Sequence, residues 1–319
     1  MGTDFRARRV LVTGGSGFLG KPLLEVLRER GYRDVVAPSH ADYDLTEQDQ
    51  VRRMFADVRP AAVIHLAGLV GGIMVNKERP GDFFYQNLAM GTLVQHEAWR
   101  AGAEKFMTCI GGCSYPGDAP SPIGEDTLFQ GYPQAESAPY ALAKAMSVVQ
   151  AQAYRQQYGF NSVVLVPGNM YGPYDHFDLQ NSHVIAALTR KFVEAVESGA
   201  TSVEVWGSGR PTRDFVYVDD VARVLVQALE EYDGAEIANI SSGTQVSIRE
   251  LAETLRDITG FTGDLVFDAS KPDGQLFKGF DVTRMRELLH ASCDTSLRDG
   301  LAKTVEWFKA SQAAGAVRL

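Results

Sequence analysis

The sequence predicts an α/β protein whose core is a doubly wound parallel β-sheet, with a smaller α/β lobe packed closely against it. Between residues 9 and 168, short apolar runs of strand length alternate with longer segments of helical periodicity. This alternation is typical of strand–helix–strand units, which place parallel strands in one layer and helices on both faces. The chain has 319 residues, of which 45% are hydrophobic, and this is enough for a large core.

The first unit is a strand, a glycine-rich turn and a helix. Residues 10–12 are an apolar run, and leucines recur at helical spacing over residues 19–27. The glycines between them let the backbone approach a pyrophosphate, towards which the amides and the helix dipole point. We therefore expect a Rossmann-type dinucleotide site rather than a purely structural turn. The residues expected to contact the cofactor here are Gly14, Gly17, Phe18, Leu19 and Gly20.

The following elements continue the alternation. Thr46 is the expected N-cap of the second helix. In such sheets ligands bind beyond the carboxyl ends of the strands, so the stretch "CIGGCSYP" after the fourth strand lies at the ligand edge. The predicted strands and helices are, in order, "DVVAP", "TEQDQVRRMFADV", "AAVIHLAG", "DFFYQNLAMGTLVQHEAWRAG", "KFMTCIGG", "APYALAKAMSVVQAQAYRQQYG" and "NSVVLVPG".

The second half of the chain is less regular. Strand–helix pairs are still visible in "DFVYVDDVARVLVQALEEY" and in "EIANISSGTQVSIRELAETLRDITG", and the segments around them resemble insertions. We predict a dinucleotide-binding domain over residues 1–170, to which residues 212–243 return. The substrate-binding lobe is predicted to comprise residues 171–211 and 244–319.

Composition excludes several classes of partner and site. A net charge of −9 and a pI of about 5.2 argue against nucleic acid and against anionic membrane surfaces. No apolar run reaches the roughly 20 residues of a membrane span, and the N-terminus does not resemble a signal peptide. Cys109, Cys113 and Cys293 are expected to be free thiols in a cytoplasmic protein, and C-x-x-x-C without a second pair is a poor metal site, so no metal is expected.

The end of the second strand favours NADP(H) over NAD. An enzyme that uses NAD usually has an acidic residue here, which binds the ribose 2′-hydroxyl. Ser39 and His40 occupy that place, and Asp42 comes too late in the sequence. Asp44 is expected near the adenine.

Tyr140 and Lys144 are the expected catalytic pair of the hydride step. Their spacing, Y-x-x-x-K, places both on one face of a helix. A nearby ammonium stabilises a phenolate, so we expect Lys144 to lower the pKa of Tyr140 and let it exchange a proton with a reacting carbonyl. The alternative is an exposed helical pair of no function.

Several motifs resemble a known family. "TGGSGFLG", "HLAG", "YALAK" and "GNMYGP" resemble the extended short-chain dehydrogenases/reductases. Longer stretches are similar to the GDP-L-fucose synthase family: "HLAGLVGGIMVN", "YQN", "CSYP", "NMYGPYDHFDLQNSHVIAAL", "VWGSGRPTRDFVYVDD" and "KPDGQLFKGFD". The resemblance implies an NADP-dependent enzyme, a homodimer, that epimerises a GDP-4-keto-6-deoxyhexose at C3 and C5 and reduces it at C4.

The resemblance also assigns residues to the epimerisation. It implies that Cys113 and His183 are the acid/base pair that moves protons at C3 and C5, because a thiol and an imidazole both exchange protons near neutral pH. The alternatives are a buried structural cysteine and a helix-capping histidine. For Cys109, which lies within a predicted strand, we expect core packing only.

The same resemblance implies further binding residues. For Lys191 and Lys278 the alternative to substrate binding is a solvated surface position, and for Arg213 it is an ion pair with Asp214 or Asp219. The further cofactor-binding residues implied are Leu66, Ala67, Gly68, Lys144 and Pro167. The substrate-binding residues implied are Asn169, His183, Lys191, Trp206, Arg213 and Lys278.

One position departs from the superfamily pattern. Gly111 stands where a serine is expected to hydrogen-bond the reacting carbonyl, and Ser114, the nearby hydroxyl, should point elsewhere. Loss of such a donor costs about 10²–10³ in rate, so we expect a weak hydride step, a donor such as water or a backbone amide, or a different sugar. This leaves open a redox-neutral GDP-mannose 3,5- or 5-epimerase that holds NAD(P) tightly, and a non-catalytic NADP sensor or scaffold.

Overall fold

The computed structural model describes residues 4–179, 182–271 and 273–317. The first half of the chain contains β1 (Val10–Thr13), α1 (Gly20–Glu29), β2 (Val35–Val36), α2 (Gln48–Val58), β3 (Ala62–His65), α3 (Ile73–Glu78), α4 (Pro80–Arg100), β4 (Lys105–Cys109), α5 (Ala138–Tyr158) and β5 (Asn161–Pro167). The second half contains β6 (Asn169–Tyr171), α6 (Val184–Ser198), β7 (Ser202–Trp206), β8 (Thr212–Tyr217), α7 (Val218–Glu231), β9 (Ala238–Ile240), β10 (Gln245–Ser247), α8 (Ile248–Thr259), β11 (Asp264–Asp268), β12 (Phe277–Lys278), α9 (Thr283–Leu288) and α10 (Leu297–Ala313).

The main sheet has six parallel strands in the order β2-β1-β3-β4-β5-β9. Alternate residues of β1 face opposite layers of helices. Val10 and Val12 pack in the cluster that includes the buried sides of α1 and α7, whereas Leu11 packs in the cluster of α2 and α4. The prediction of a doubly wound parallel sheet is therefore confirmed. The order reverses between β1 and β3, so ligands are expected at the carboxyl ends of these strands.

The smaller lobe has its own core. Its sheet contains β10-β8-β12, with β6 paired to β8, and a separate parallel pair is formed by β7 and β11. The buried sides of α6, α8 and α10 cover these strands in one cluster. Within residues 212–243, β8 lies in this smaller sheet, whereas β9 joins the main sheet. The domain boundaries at residues 170, 211 and 243 stay a prediction.

The segment after β12 is fastened to the loop after β4. Ile123 donates its amide to the Gly279 carbonyl at 2.8 Å and accepts from the Asp281 amide at 2.9 Å. The Gly279 amide donates to Ser121 Oγ at 3.0 Å. These bonds join the two lobes close to "CIGGCSYP" and fix the position of β12 against it.

Two details concern the local predictions. The prediction for Thr46 is wrong: α2 begins at Gln48 with Glu47 as its N-cap, and the Thr46 hydroxyl instead donates to Asp44 Oδ1 at 2.7 Å. An acceptor two residues upstream competes for this hydroxyl and removes it from the helix start. Over the described part of the chain, no helix is long and apolar enough to cross a membrane.

Candidate active site

The glycine turn closes against the end of β3. Gly14 has a φ of +75°, and a Cβ atom there would lie 2.7 Å from the Ala67 amide nitrogen. A side chain on Gly20 would collide with the Gly14 carbonyl, to which the Gly17 amide donates at 3.0 Å. The turn thus has no room for side chains at Gly14 and Gly20, and this leaves the start of α1 open to a phosphate. Leu19 is buried and Phe18 packs against the main core.

A buried hydrogen bond joins the ends of β1 and β3. Thr13 Oγ1 lies 2.7 Å from His65 Nδ1 and also accepts from the Ala67 amide at 3.4 Å. Burial lowers the pKa of His65 to about 3, and the charge of Lys144 adds to this effect, so the imidazole is neutral. The bond holds Leu66, Ala67 and Gly68 beside the glycine turn.

The segment after β2 carries an unexpected contact. Ser39 and His40 are both exposed, and their contact with the cofactor ribose stays a prediction. The carboxylate of Asp42 folds back and accepts from both the amide and the hydroxyl of Ser39, each at 2.7 Å. Asp44 accepts from the Thr46 amide and hydroxyl. Asp42 is therefore close in space to Ser39, the position at which the sequence lacks an acidic residue.

Tyr140 and Lys144 lie on the first turns of α5 and face the loop after β3. Lys144 Nζ lies 3.8 Å from where a Cβ atom of Gly68 would stand, and the Phe83 ring meets the Tyr140 ring edge-on at 6.1 Å. Burial raises the pKa of Tyr140 and lowers the pKa of Lys144. The expected lowering of the Tyr140 pKa is thus wrong for the protein alone, because the phenol is buried. A protonated phenol suits a proton donor in reduction.

Gly111 brings Cys113 and Tyr140 to one point. A Cβ atom on Gly111 would lie 3.1 Å from Cys113 Sγ and 3.7 Å from Tyr140 Cε1. Cys113 lies on a 3₁₀ turn, Gly112–Ser114, whose Ser114 hydroxyl donates to the Ala141 carbonyl at 3.0 Å. Ser114 therefore points away, as expected. The thiol and the phenol meet where Gly111 offers no hydroxyl.

The pKa of Cys113 reflects its surroundings. Burial raises it, and the ammonium groups of Lys278 and Lys144 oppose that rise. Cys109, the last residue of β4, packs against the main core, and burial raises the pKa of its thiol to about 12. All three cysteines are free.

His183 is the N-cap residue of α6, on the smaller lobe. Its carbonyl accepts from the Ala187 amide at 3.0 Å, and its side chain makes no capping bond and is exposed. No hydrogen bond joins it to Cys113 among the described residues, so its role in epimerisation stays a prediction. Among the neighbours of His183 in "NSHVI", Asn181 lies outside the described residues.

A tryptophan with two ammonium groups forms part of the smaller lobe's surface. Trp206 is 51% exposed and donates its indole N–H to Glu204 Oε1 at 2.8 Å. Lys191 Nζ lies 5.4 Å from the indole centroid and donates to the Glu204 carbonyl, and Lys271 Nζ lies 5.3 Å from the same centroid. This cluster can bind an anion or stack on a flat ring. Sequence reasoning missed Lys271, although "KPDGQLFKGFD" was among the family motifs.

Arg213 is held by carbonyl groups. Its guanidinium donates to the carbonyls of Thr212 and Gln275, both at 2.7 Å. No ion pair with Asp214 or Asp219 is found among the described residues. Asn169, at the start of β6, donates its side-chain amide to the Asp214 carbonyl of β8 at 2.9 Å.

Two further predicted residues lie near the ends of strands. Pro167 is buried at the end of β5, and Lys278 is the last residue of β12. Lys278 lines a small cavity together with Gly112, Cys113 and Gln275. The assignment of Lys278 to substrate binding stays a prediction, and the fold sets this lysine beside the Cys113 thiol.

Comparison with known proteins agrees with this architecture. The model of the NAD dependent epimerase/dehydratase family matches residues 10–241. GDP-L-fucose synthase 1 of Arabidopsis thaliana is 40% identical over 303 residues, which cover 95% of this chain and 94% of the relative.

Solved structures give the same result. A GDP-L-fucose synthetase from Naegleria fowleri bound to NADP has a TM-score of 0.91 at 29% identity, covering 99% of this chain and 98% of that chain. A GDP-6-OMe-4-keto-L-xylo-heptose reductase from C. jejuni has a TM-score of 0.90 at 28% identity, covering 98% and 100%.

The resemblance in sequence motifs is therefore confirmed over nearly the whole chain. With a dinucleotide turn, a Tyr–Lys pair and a cysteine at one sheet edge, the chain belongs to the NAD dependent epimerase/dehydratase family and, within it, to the GDP-L-fucose synthases.

Proposed function

We propose that this enzyme epimerises a GDP-4-keto-6-deoxyhexose at C3 and C5 and reduces the C4 ketone with NADPH. The observation that carries the proposal is the meeting of Cys113 Sγ and the Tyr140 ring around Gly111, one helical turn from Lys144. The group for proton transfer at carbon, Cys113, and the group for proton transfer to oxygen, Tyr140, thus lie side by side. The glycine turn, the Ser39 segment and the carboxyl end of β5 supply the surroundings of the dinucleotide.

For the reduction, NADPH supplies the hydride when bound. Tyr140 donates the proton to the C4 oxygen as hydride reaches C4, and its burial keeps the phenol protonated until then. Lys144 holds its ammonium beside the Gly68 loop, where it stabilises the phenolate left behind.

For the epimerisation, the C4 ketone makes the hydrogens at C3 and C5 acidic. Cys113 and His183 exchange protons with these carbons from opposite faces of the sugar, one removing a proton and the other delivering one. The thiol is fixed on its 3₁₀ turn, whereas His183 belongs to the other lobe, so approach of the lobes around the sugar completes the pair.

The smaller lobe holds the nucleotide part of the substrate. Trp206 offers an exposed ring beside Lys191, and Arg213 carries a fixed positive charge between Thr212 and Gln275. A diphosphate and a planar base need cations and a flat apolar face. Asn169 begins β6 two residues after the end of β5, and we expect it to bind a sugar hydroxyl.

A second candidate is a redox-neutral GDP-mannose 3,5- or 5-epimerase that retains its NAD(P). Gly111 weakens the case for net reduction, because it lacks the serine hydroxyl expected to hydrogen-bond the reacting carbonyl. In this candidate Tyr140 and Lys144 oxidise and reduce the same sugar, and the cofactor shows no net turnover.

We also infer a homodimer in a reducing compartment such as the cytoplasm. Large apolar side chains are exposed on two adjacent helices, Phe84 and Tyr85 on α4 and Met146 and Val149 on α5. Such a surface is suited to a second copy of the same helix pair. Three unpaired thiols fit a reducing environment.

Product analysis tests the proposed function. The protein is incubated with GDP-4-keto-6-deoxymannose and, separately, with GDP-mannose, each with and without NADPH, and the sugars are identified. The proposal predicts NADPH-dependent reduction of the first substrate to an epimerised product. Epimerisation of GDP-mannose without added NADPH would establish the second candidate instead.

A further inference from the structure

The cavity beside Cys113 contains a lysine from the other lobe that has no partner among the described residues. Lys278 and Cys113 line this cavity together, although 165 positions separate them (278 − 113). Lys278 is partly buried, and its ammonium makes no hydrogen bond or ion pair with any residue in the described ranges. A partly buried ammonium without a partner is unfavourable, and a nearby anion would stabilise it.

The position of Lys278 is fixed by strand pairing and by hydrogen bonds on either side of it. β12 pairs with β8 in parallel, with Lys278 opposite Arg213. On the N-terminal side, the Gln275 side-chain Nε2 donates to the Gly117 carbonyl. On the C-terminal side, Gly279 bonds Ser121 and Ile123. Lys278 therefore reaches the "CIGGCSYP" turn from a segment that cannot move away without breaking these bonds.

Phe280 packs against the 3₁₀ turn that carries Cys113. A Cβ atom on Gly112 would lie 2.5 Å from Phe280 Cζ, so the ring packs directly against the Gly112 backbone. The same ring also lies against Gly168, where a Cβ atom would approach Phe280 Cδ2 to 3.2 Å. The 3₁₀ turn that carries Cys113 is thus wedged between Phe280 on one side and Ala141 of α5 on the other.

No carboxylate in the described surroundings neutralises Lys278. Arg213, its neighbour on β8, is another cation, and Arg213 has its own carbonyl partners. The remaining titratable groups around the thiol are Tyr140 and Lys144 from α5 and Cys109 from β4. Tyr115 also lines the cavity, but its hydroxyl donates to Asn239 Oδ1 at 2.6 Å and burial raises its pKa. Cys113 is therefore the group that can become an anion beside Lys278.

We infer that Lys278 is a positioning residue that stabilises the thiolate form of Cys113, in addition to any contact with substrate. The inference rests on the proposed function, in which Cys113 moves a proton at carbon. Lys278 opposes the effect of burial on the Cys113 pKa more strongly than Lys144 does, in agreement with the geometry. Lys278 lies on β12 of the smaller lobe, so this lobe opposes the rise that burial causes in the pKa of the Cys113 thiol, which belongs to the main domain.

Thiol alkylation without substrate tests this inference separately from the proposed function. The full-length protein is treated with iodoacetamide between about pH 6 and pH 10, and the Cys113 peptide is quantified by mass spectrometry. Lys278→Met should slow alkylation of Cys113 about threefold to tenfold below the thiol pKa. The fall in thiolate is partly offset because a more basic thiolate is more nucleophilic. Lys278→Arg should retain the rate of the unaltered protein.

Lys191→Met is the matched control, since it removes an ammonium from the same lobe beside Trp206 and not beside Cys113. It should leave the alkylation rate unchanged. Lys278→Gln serves as a second neutral variant if Lys278→Met does not fold, which near-ultraviolet circular dichroism reports. An unchanged rate in the folded neutral variants, or an equal loss in Lys191→Met, would overturn the inference even if the enzyme proves to be a nucleotide-sugar epimerase.

Discussion

The Gly111→Ser substitution should accelerate hydride transfer. Gly111 has φ −86° and ψ 150°, an extended conformation that serine adopts without strain. The new Cβ atom would stand 3.1 Å from Cys113 Sγ and 3.7 Å from Tyr140 Cε1. The serine hydroxyl would therefore start beside the phenol that donates to the C4 oxygen, and would add a second donor there.

The expected magnitude follows from two opposed effects. A well-placed donor to a developing oxyanion contributes about 10²–10³ in rate. The 3.1 Å approach is tight, so the Cys113 side chain must shift by a few tenths of an ångström, and such overpacking costs about 1 kcal/mol, or about fivefold. We expect a net gain on the order of tenfold to a hundredfold in NADPH oxidation, together with slower proton exchange at Cys113.

The assay is stopped-flow NADPH oxidation with a 4-keto GDP-sugar in excess. Gly111→Ala is the matched control, because it adds the same Cβ atom without the hydroxyl. Gly112→Ser is a negative control, since its side chain collides with Phe280 and should destabilise the fold. If Gly111→Ser is no faster than Gly111→Ala, the carbonyl does not react beside Gly111 and the assignment of this place is refuted.

Three further outcomes are expected. Titration of both cofactors should show tighter binding of NADPH than of NADH. Asp42→Asn should widen this difference in affinity severalfold, because it removes a carboxylate beside Ser39 that repels the 2′-phosphate of NADPH. Tighter NADH binding would favour the redox-neutral epimerase. Tyr140→Phe should abolish NADPH oxidation and leave the NADPH dissociation constant nearly unchanged in a fluorescence titration; near-normal turnover would remove Tyr140 from the mechanism. Lys105→Met should lower the free energy of unfolding in urea by about 2–3 kcal/mol, because the buried ammonium donates to the carbonyls of Ala228 and Leu229 at 2.9 and 2.8 Å; an unchanged midpoint would contradict this.

Local patterns predicted the main domain well because each signal lies within one strand–helix unit. The apolar run before Gly14 and the Y-x-x-x-K spacing of Tyr140 and Lys144 depend on neighbours close in sequence, and the structure places them as expected. Cys109 ends a strand and Ser114 turns away, as their positions in "CIGGCSYP" indicated.

Long-range contacts explain what the sequence could not predict. The place of Lys278 depends on β12 pairing with β8 and on bonds to residues 117–123, and no local pattern encodes either. The collision of any Gly112 side chain with Phe280 is likewise invisible in sequence. The shift of the Tyr140 pKa was mispredicted in sign because spacing reveals the nearby ammonium but not the extent of burial.

Deuterium exchange tests the central claim, that one site uses separate groups for proton transfer at carbon and for hydride transfer. A 4-keto GDP-sugar is incubated in D₂O with the enzyme, and uptake at C3 and C5 is followed by mass spectrometry beside NADPH oxidation. Cys113→Ser should nearly abolish uptake and His183→Asn should impair it, while both still oxidise NADPH, and Cys109→Ser should match the unaltered enzyme. Full uptake in Cys113→Ser, or its loss in Cys109→Ser, would contradict the account.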